Sequence, residues 1–112
     1  VEPALCRLTM TTDLEAAGSS ADFIVESIVE VLELKEELFS KLDALCPQHT
    51  IFASNTSSLL PSTLAAATQR QDRFLVAHYF NPPYLMPLIE IVRGQNTSDE
   101  VVDTIHSIYK EI

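Results

Sequence analysis

The stretch ADFIVESIVEVLELKEELFSKLDALCPQHTIFASNTSS, residues 21–58, contains an apolar run, an amphipathic run and a second apolar run. The apolar residues of the first run, within 22–28, are continuous rather than alternating, which is typical of a strand buried on both faces. Residues 31–46 place leucines at helical spacing and end before Pro47, which predicts an amphipathic helix. A second short buried strand then runs into a polar cluster within residues 50–59. Strand, helix and strand in this order predict a parallel α/β sheet.

Upstream of this stretch, the pattern predicts a further strand and a short helix. RLTMTTD, residues 7–13, alternates and is rich in β-branched residues, so we expect a strand that ends at Asp13. Asp13 can then cap a brief helix through LEAAG, which Gly18 stops.

Downstream of it, strands and helices continue to alternate. A small-residue helix is predicted after Pro61, and residues 73–80 form a third apolar strand. That strand breaks at the Asn-Pro-Pro sequence 81–83, because prolines cannot donate ladder hydrogen bonds. Residues 87–94 predict a fourth strand, and residues 98–112 a final amphipathic helix. The predicted fold class is therefore α/β, with a parallel sheet.

Composition and charge narrow the class of protein. The 112 residues indicate one domain or part of one, and a hydrophobic content of 46% is ordinary for a folded core. The net charge of −9 argues against nucleic acid or an anionic membrane as the main partner, since both attract basic surfaces. No run approaches the roughly 18 apolar residues of a transmembrane helix. The first residues show no basic segment followed by an apolar one, so no signal peptide is indicated.

Cysteine and glycine are scarce. Cys6 and Cys46 form no C-x-x-C motif and the histidines are dispersed, so we expect no metal site and two buried, reduced thiols, as in a cytosolic protein. The only glycines, Gly18 and Gly94, form neither a G-x-G-x-x-G fingerprint nor a P-loop. This segment alone therefore cannot cradle the pyrophosphate of a dinucleotide.

Three polar clusters lie at or near predicted strand ends: residues 26–30, 54–58 and 78–81. In parallel sheets, ligands bind at the carboxyl ends of the strands, so these clusters are the candidate sites. His78 and Glu90 interrupt otherwise apolar strands, and a buried carboxylate is costly unless it is paired. A pair in which Glu90 orients the imidazole and raises its basicity would satisfy both groups, and so would a purely structural ion pair.

Ser57, Glu30 and Lys35 each have a structural and a functional interpretation. Ser57 lies in a hydroxyl-rich segment that favours turns and helix caps, but its hydroxyl could also contact a substrate oxygen. A hydrolase triad of Ser57, His78 and Glu90 is formally possible, although the G-x-S-x-G nucleophile elbow is lacking. Composition alone favours a solvated helix face for Glu30 and Lys35.

Two segments resemble one known family. SNTSSL followed by QDRF and AHYFNPPYLMPLIEIV closely resembles the signature region of the L-3-hydroxyacyl-CoA dehydrogenases, and TTDLEAAGSSADFIVESIVEVLELKEELF resembles the preceding part of the same domain. The resemblance implies the oxidation of the 3-hydroxyl of an acyl-CoA to a ketone with NAD, as in fatty acid β-oxidation. The N-P-P-Y sequence also resembles the corresponding segment of the related 3-hydroxyacid dehydrogenases, such as gulonate 3-dehydrogenase and lambda-crystallin.

The resemblance also implies roles for individual residues. His78 matches the catalytic base and Glu90 the acid paired with it. Ser57 matches a serine that contacts substrate and cofactor, and Asn81 lies beside the same site, where it is expected to contact both. The implied polar contacts to NAD at the start of the helix are Glu30 and Lys35.

By this resemblance, residues 1–112 form the C-terminal part of a Rossmann-type NAD-binding domain, ending in the helix that leads toward a C-terminal domain. The family's first strand and glycine-rich loop have no counterpart here, so we expect the segment alone to be inactive and the strand over 23–28 to be an open sheet edge. For the full-length protein we expect a homodimer located in the cytoplasm, or in the mitochondrial matrix of a eukaryote. The alternatives are a dehydrogenase of a sugar acid or carnitine-like substrate, and a non-catalytic interaction module.

Overall fold

The computed structural model describes residues 2–80, 85 and 88–111. Its helices are α1 (Glu2–Leu5), α2 (Leu14–Gly18), α3 (Leu32–Leu45), α4 (Pro61–Ala65) and α5 (Asp99–Glu111). Its strands are β1 (Phe23–Glu26), β2 (Ile51–Ser54), β3 (Phe74–Tyr79) and β4 (Ile89–Arg93), and a 3-10 turn over Gln71–Arg73 precedes β3. No helix in these ranges is long and apolar enough to cross a membrane.

The four strands form one sheet in the order β1-β2-β3-β4. The pairings of β1 with β2 and of β2 with β3 are parallel, which confirms the predicted α/β class and the partial Rossmann-type sheet. The fourth strand is antiparallel to β3, so its predicted parallel direction is wrong. Only residues 80–88 separate the two strands, whereas a parallel crossover needs about a dozen residues or more.

Helices cover both faces of the sheet, as in a doubly wound fold. One face packs against α3 and α4 through the buried residues Phe39, Leu42, Cys46, Phe52, Leu64, Ala65 and Phe74. The opposite face packs against α5 through Ile51, Ala53, Leu75, Ala77, Val101 and Ile105. Successive residues of β2 and β3 alternate between these two clusters because side chains along a strand point to opposite faces.

Two predictions about the first part of the chain are wrong. Residues 7–13 form no strand: no described segment pairs with them, and Leu8 and Met10 are exposed. Alternation marks a strand only where a neighbouring strand completes its hydrogen bonds. Cys6 is exposed and only Cys46 is buried, which corrects the prediction of two buried thiols.

The remaining predicted elements occur at or near their predicted positions, whereas α1 and the 3-10 turn were not predicted. The side chain of Asp13 accepts hydrogen bonds from the N–H groups of Glu15 and Ala16, which caps α2. β1 pairs with β2 and with no other described strand, so it forms the expected open edge. The predicted break at residues 81–83 lies outside the described residues.

At the amino-terminal edge of the sheet, the guanidinium of Arg70 joins α3 to β2. Its Nε donates to Asp43 at 2.7 Å, and its terminal nitrogens donate to four backbone carbonyls, those of Asp43, Cys46, Pro47 and Thr50. All five guanidinium hydrogens therefore have acceptors. The same group lies 4.5 Å from the ring centroid of Phe52. Arg70 is thus a structural residue with no free donor for a ligand.

We predict that Arg70→Leu in the full-length protein lowers the free energy of unfolding by about 3 kcal/mol, because a mostly buried Asp43 and several carbonyls lose their partner. Urea denaturation followed by circular dichroism measures the loss. Arg73→Leu is the matched control, since Arg73 is more exposed and its described hydrogen bond is a single one to the His49 carbonyl. Equal losses in the two variants would contradict this role for Arg70.

Candidate active site

The carboxyl ends of β1, β2 and β3 meet at one edge of the sheet, because these three strands run in the same direction. Asn55, which follows β2, joins the three ends. Its N–H donates to the carbonyl of Glu26 at 2.8 Å, and its side-chain oxygen accepts from the N–H of Tyr79 at 3.0 Å. The polar clusters predicted after β1 and β2 therefore lie together, as expected.

A buried ion pair lies directly beneath this edge. Glu26, at the end of β1, and Lys35, in the first turns of α3, form a salt bridge and are 3% and 1% exposed. The hydroxyl of Ser54 donates to the second carboxylate oxygen of Glu26. Glu26 and Ser54 are partners in the parallel register, so their side chains share the face that α3 covers. The expectation of a solvated helix face is therefore wrong for Lys35.

Glu30 lies above that pair and holds the loop that follows β2. Its carboxylate accepts from the hydroxyl of Thr56 at 2.8 Å and from the N–H of Ser57 at 3.0 Å, and it lies 3.5 Å from the Lys35 ammonium. Burial raises the pKa of Glu30, but the hydrogen bonds from Thr56 and Ser57 and the charge of Lys35 outweigh it and lower the pKa to about 2. Glu30 is therefore ionised at neutral pH.

His78 and Glu90 are directly opposite each other in the antiparallel pairing of β3 with β4. Side chains at opposed positions lie on the same face of a sheet and within reach of each other. His78 is half-buried and its ring stacks edge-on against Phe80, with 5.1 Å between ring centroids. Glu90 is exposed, and no hydrogen bond joins the two side chains. The fold therefore places His78 and Glu90 side by side, but no hydrogen bond fixes the relative orientation of their side chains.

Ser57 is exposed and turned toward Glu30, with 3.3 Å between its Oγ and a carboxylate oxygen. No hydrogen bond joins Ser57 to His78, so these residues do not form a hydrolase triad in this structure. Asn81, the remaining predicted site residue, lies outside the described residues.

Sequence reasoning missed the structural roles of Asn55, Thr56 and Ser54. All three lie at or just after the end of β2, inside the cluster that the pattern singled out. Their partners are distant in sequence, so composition could indicate a polar loop but not which hydroxyl meets which carboxylate. The sequence did contain a signal for the buried charge of Glu26, because this carboxylate ends an otherwise apolar strand.

The charges at this edge determine which ligand groups it can hold. The described segments 27–31, 55–60 and 80 contain no lysine or arginine, and the ammonium of Lys35 is buried between two carboxylates. An ionised carboxylate beside exposed serine hydroxyls suits hydroxyl and amide groups rather than phosphates. No cluster of possible metal ligands occurs among the described residues.

Comparisons with known proteins agree on one family. Residues 1–112 match the family model of the 3-hydroxyacyl-CoA dehydrogenase NAD-binding domain. The chain is 46% identical over 112 residues to the mitochondrial hydroxyacyl-coenzyme A dehydrogenase of Sus scrofa. The aligned region covers 100% of this chain and 36% of that relative. It is 42% identical over 106 residues to an L-carnitine dehydrogenase of a Pseudomonas species. This alignment covers 95% of this chain and 33% of that relative.

A solved structure shows the same fold. The 3-hydroxybutyryl-CoA dehydrogenase of Escherichia coli K12 superposes with a TM-score of 0.92 at 37% sequence identity, covering 97% of this chain and 23% of that one. The chain spans about a third of the length of the curated relatives described above.

We predict that Glu30→Gln destabilises the full-length protein at pH 7, and that the difference from wild type shrinks as the pH falls from about 4.5 through about 2. A carboxylate with a lowered pKa stabilises the fold only while it is ionised, so its contribution disappears on acidification. Melting temperatures measured between pH 7 and pH 3 test this.

The charge-matched control is Glu37→Gln, which removes a carboxylate from an exposed pair with Lys41 on α3 and should change stability little at pH 7. A Glu30→Gln difference that stays constant down to pH 3 would contradict the lowered pKa.

Proposed function

Because this chain belongs to the 3-hydroxyacyl-CoA dehydrogenase family, whose NAD-binding domain it matches throughout, we propose that the full-length protein oxidises the 3-hydroxyl of a 3-hydroxyacyl-CoA to the ketone. The observation that carries this proposal is the opposed position of His78 and Glu90 beside the carboxyl edge of the sheet. That is the edge at which parallel α/β sheets bind ligands. We infer a homodimer, in the cytoplasm or the mitochondrial matrix.

NAD is the cofactor of this family of domains, and the residues at the edge suit one part of it. The ionised Glu30 and the hydroxyl of Ser57 can bind the ribose hydroxyls and the carboxamide, whereas the described residues of this edge include no free cation that suits the pyrophosphate. We therefore assign the nicotinamide side of the cofactor to the ends of β1 and β2, with Asn81 as a further contact. When bound, NAD supplies the hydride-accepting chemistry.

His78 acts as the general base in this proposal. A neutral imidazole at the end of β3 takes the proton of the substrate hydroxyl as the ketone forms. Glu90, opposite it, stabilises the imidazolium and orients the ring. Ser57 donates a hydrogen bond to the substrate oxygen from the neighbouring strand end. Glu90 is exposed and forms no hydrogen bond with His78 in this structure, so its proposed role requires that this hydrogen bond forms during the reaction.

A second substrate class has its own support. The 42% identity to an L-carnitine dehydrogenase supports a free 3-hydroxyacid as the second candidate substrate. Assays of the full-length protein with NAD and either 3-hydroxybutyryl-CoA or L-carnitine, followed by NADH absorbance, decide between the two. A preference for L-carnitine would overturn the acyl-CoA proposal and keep the dehydrogenase chemistry.

We predict that His78→Gln lowers kcat at least about a hundredfold, the usual loss when a general base is removed. Glu90→Gln should lower kcat less, because the base remains but is less firmly oriented. Steady-state kinetics of the full-length protein measure both effects. The control is His106→Gln on the exposed side of α5, which should leave kcat unchanged. Near-normal turnover in His78→Gln would remove His78 from the mechanism.

We predict that Ser57→Ala lowers turnover more than stability. Losing one directed hydrogen bond costs about 0.5–1.5 kcal/mol, and more where the partner stays buried against the substrate. The backbone N–H of Ser57 still donates to Glu30, so the loop should keep its fold. Kinetics and melting temperature are compared with those of Ser58→Ala. A large fall in melting temperature with unchanged kinetics would assign Ser57 a structural role only.

A further inference from the structure

The ion pair of Glu26 and Lys35 lies in the interior of the protein, where two charges are costly to bury. Both side chains are almost fully excluded from solvent. A buried ion pair costs so much desolvation that apolar replacements of similar volume are often neutral or stabilising. Such a pair is therefore weak evidence for stability, and its position suggests a different role. It lies directly beneath Glu30, the ionised carboxylate of the cofactor side.

The carboxylate of Glu26 is fully occupied by the protein. One oxygen accepts from the hydroxyl of Ser54. The other accepts from the N–H of Ile28 at 2.8 Å and from the ammonium of Lys35. Glu26 therefore has no oxygen aimed at a ligand, and any effect that it has on the site must pass through its partners.

The ammonium of Lys35 is divided among three acceptors. It donates to Glu26 and, at 3.3 Å, to the carbonyl of Ile28, and it lies 3.5 Å from Glu30. Glu26 and the carbonyl of Ile28 accept two of its hydrogens, and the Lys35 side chain is 1% exposed. The direct contact of Lys35 with NAD that the family resemblance implies therefore has no accessible donor in this structure.

We propose that Glu26 is a positioning residue that acts through Lys35 on Glu30 and thereby sets the affinity of the site for NAD. This inference rests on the proposed function of the edge as the nicotinamide site. Glu26 offsets the charge of Lys35, so Glu30 stays bonded to Thr56 and Ser57 rather than moving onto the ammonium. Without the charge of Glu26, Lys35 would draw Glu30 down and away from the cofactor.

A double-mutant cycle on the full-length protein tests this coupling. Glu26→Gln, which keeps the side-chain shape, should raise the Kd for NAD about tenfold, measured by calorimetry. In a Glu30→Gln background the same change should alter Kd less than about twofold, because its target is already removed. Glu37→Gln is the charge-matched control and should leave Kd unchanged. A tenfold rise in both backgrounds, or no rise in folded Glu26→Gln, would overturn the proposal.

A neutral pair keeps the test usable if Glu26→Gln does not fold. Glu26→Gln combined with Lys35→Met leaves no uncompensated buried charge. This double variant should fold and bind NAD with a Kd within about twofold of the wild-type value, because no ammonium remains to draw Glu30 away from the cofactor. A folded double variant that still binds NAD about tenfold more weakly would overturn the proposal.

A measurement without ligand separates this inference from the proposed function. The N–H of Ser57 donates to Glu30, so its hydrogen exchange, followed by NMR, reports the position of that carboxylate. Exchange at Ser57 should be faster in Glu26→Gln, with the core amide of Val76 unchanged. Unchanged Ser57 exchange would overturn the positioning role. Failure of the wild-type protein to bind NAD would instead overturn the proposed function and leave this result standing.

Discussion

Parallel pairing of β1, β2 and β3 is the constraint on which the site depends. Equal strand direction brings Glu26, Ser54 and Tyr79 to one edge, although they are far apart in the chain. Asn55 then joins the three ends, because its N–H donates to Glu26 and its side-chain oxygen accepts from the N–H of Tyr79. The alternation of side chains along each strand adds a second condition, because it places Glu26, Ser54 and His78 on the same face of the sheet. A slip of one residue in either pairing would turn the affected side chains to the α5 face.

The two edges of the sheet use buried cations in different ways. At the amino-terminal edge, Arg70 donates all five of its hydrogens to Asp43 of α3 and to carbonyls of the segment between α3 and β2, so its charge only holds elements together. At the carboxyl edge, Lys35 lies between a buried and a partly exposed carboxylate. Its charge therefore influences a group that a ligand can reach. Both cations are buried, so the difference between Arg70 and Lys35 comes from the exposure of the groups that they contact.

Predictions from sequence succeeded where local pattern and tertiary structure agree. The capped helix after Asp13 and the strands β1 to β3 follow from periodicity and local hydrogen bonding, and their positions were confirmed, although β1 is only partly buried. The strand over residues 7–13 was wrong because its alternation has no described partner strand to complete it. The predicted parallel direction of β4 was wrong. The sequence did contain the information needed to avoid this error, because the segment between β3 and β4 is too short for a parallel crossover.

By itself, the sequence determined the residue types of the site and their place at strand ends, since hydroxyls, carboxylates and a histidine interrupt apolar runs at those points. It also predicts that the cofactor's pyrophosphate needs groups beyond this segment, because the two glycines of the sequence form no glycine-rich loop. Only the tertiary structure decided the partners: that Lys35 is buried on Glu26, and that Glu30 holds the loop of Ser57. The physical reason is that hydrogen bonds and ion pairs depend on distances of a few ångströms. Strand register and helix packing set those distances between residues that are remote in the chain.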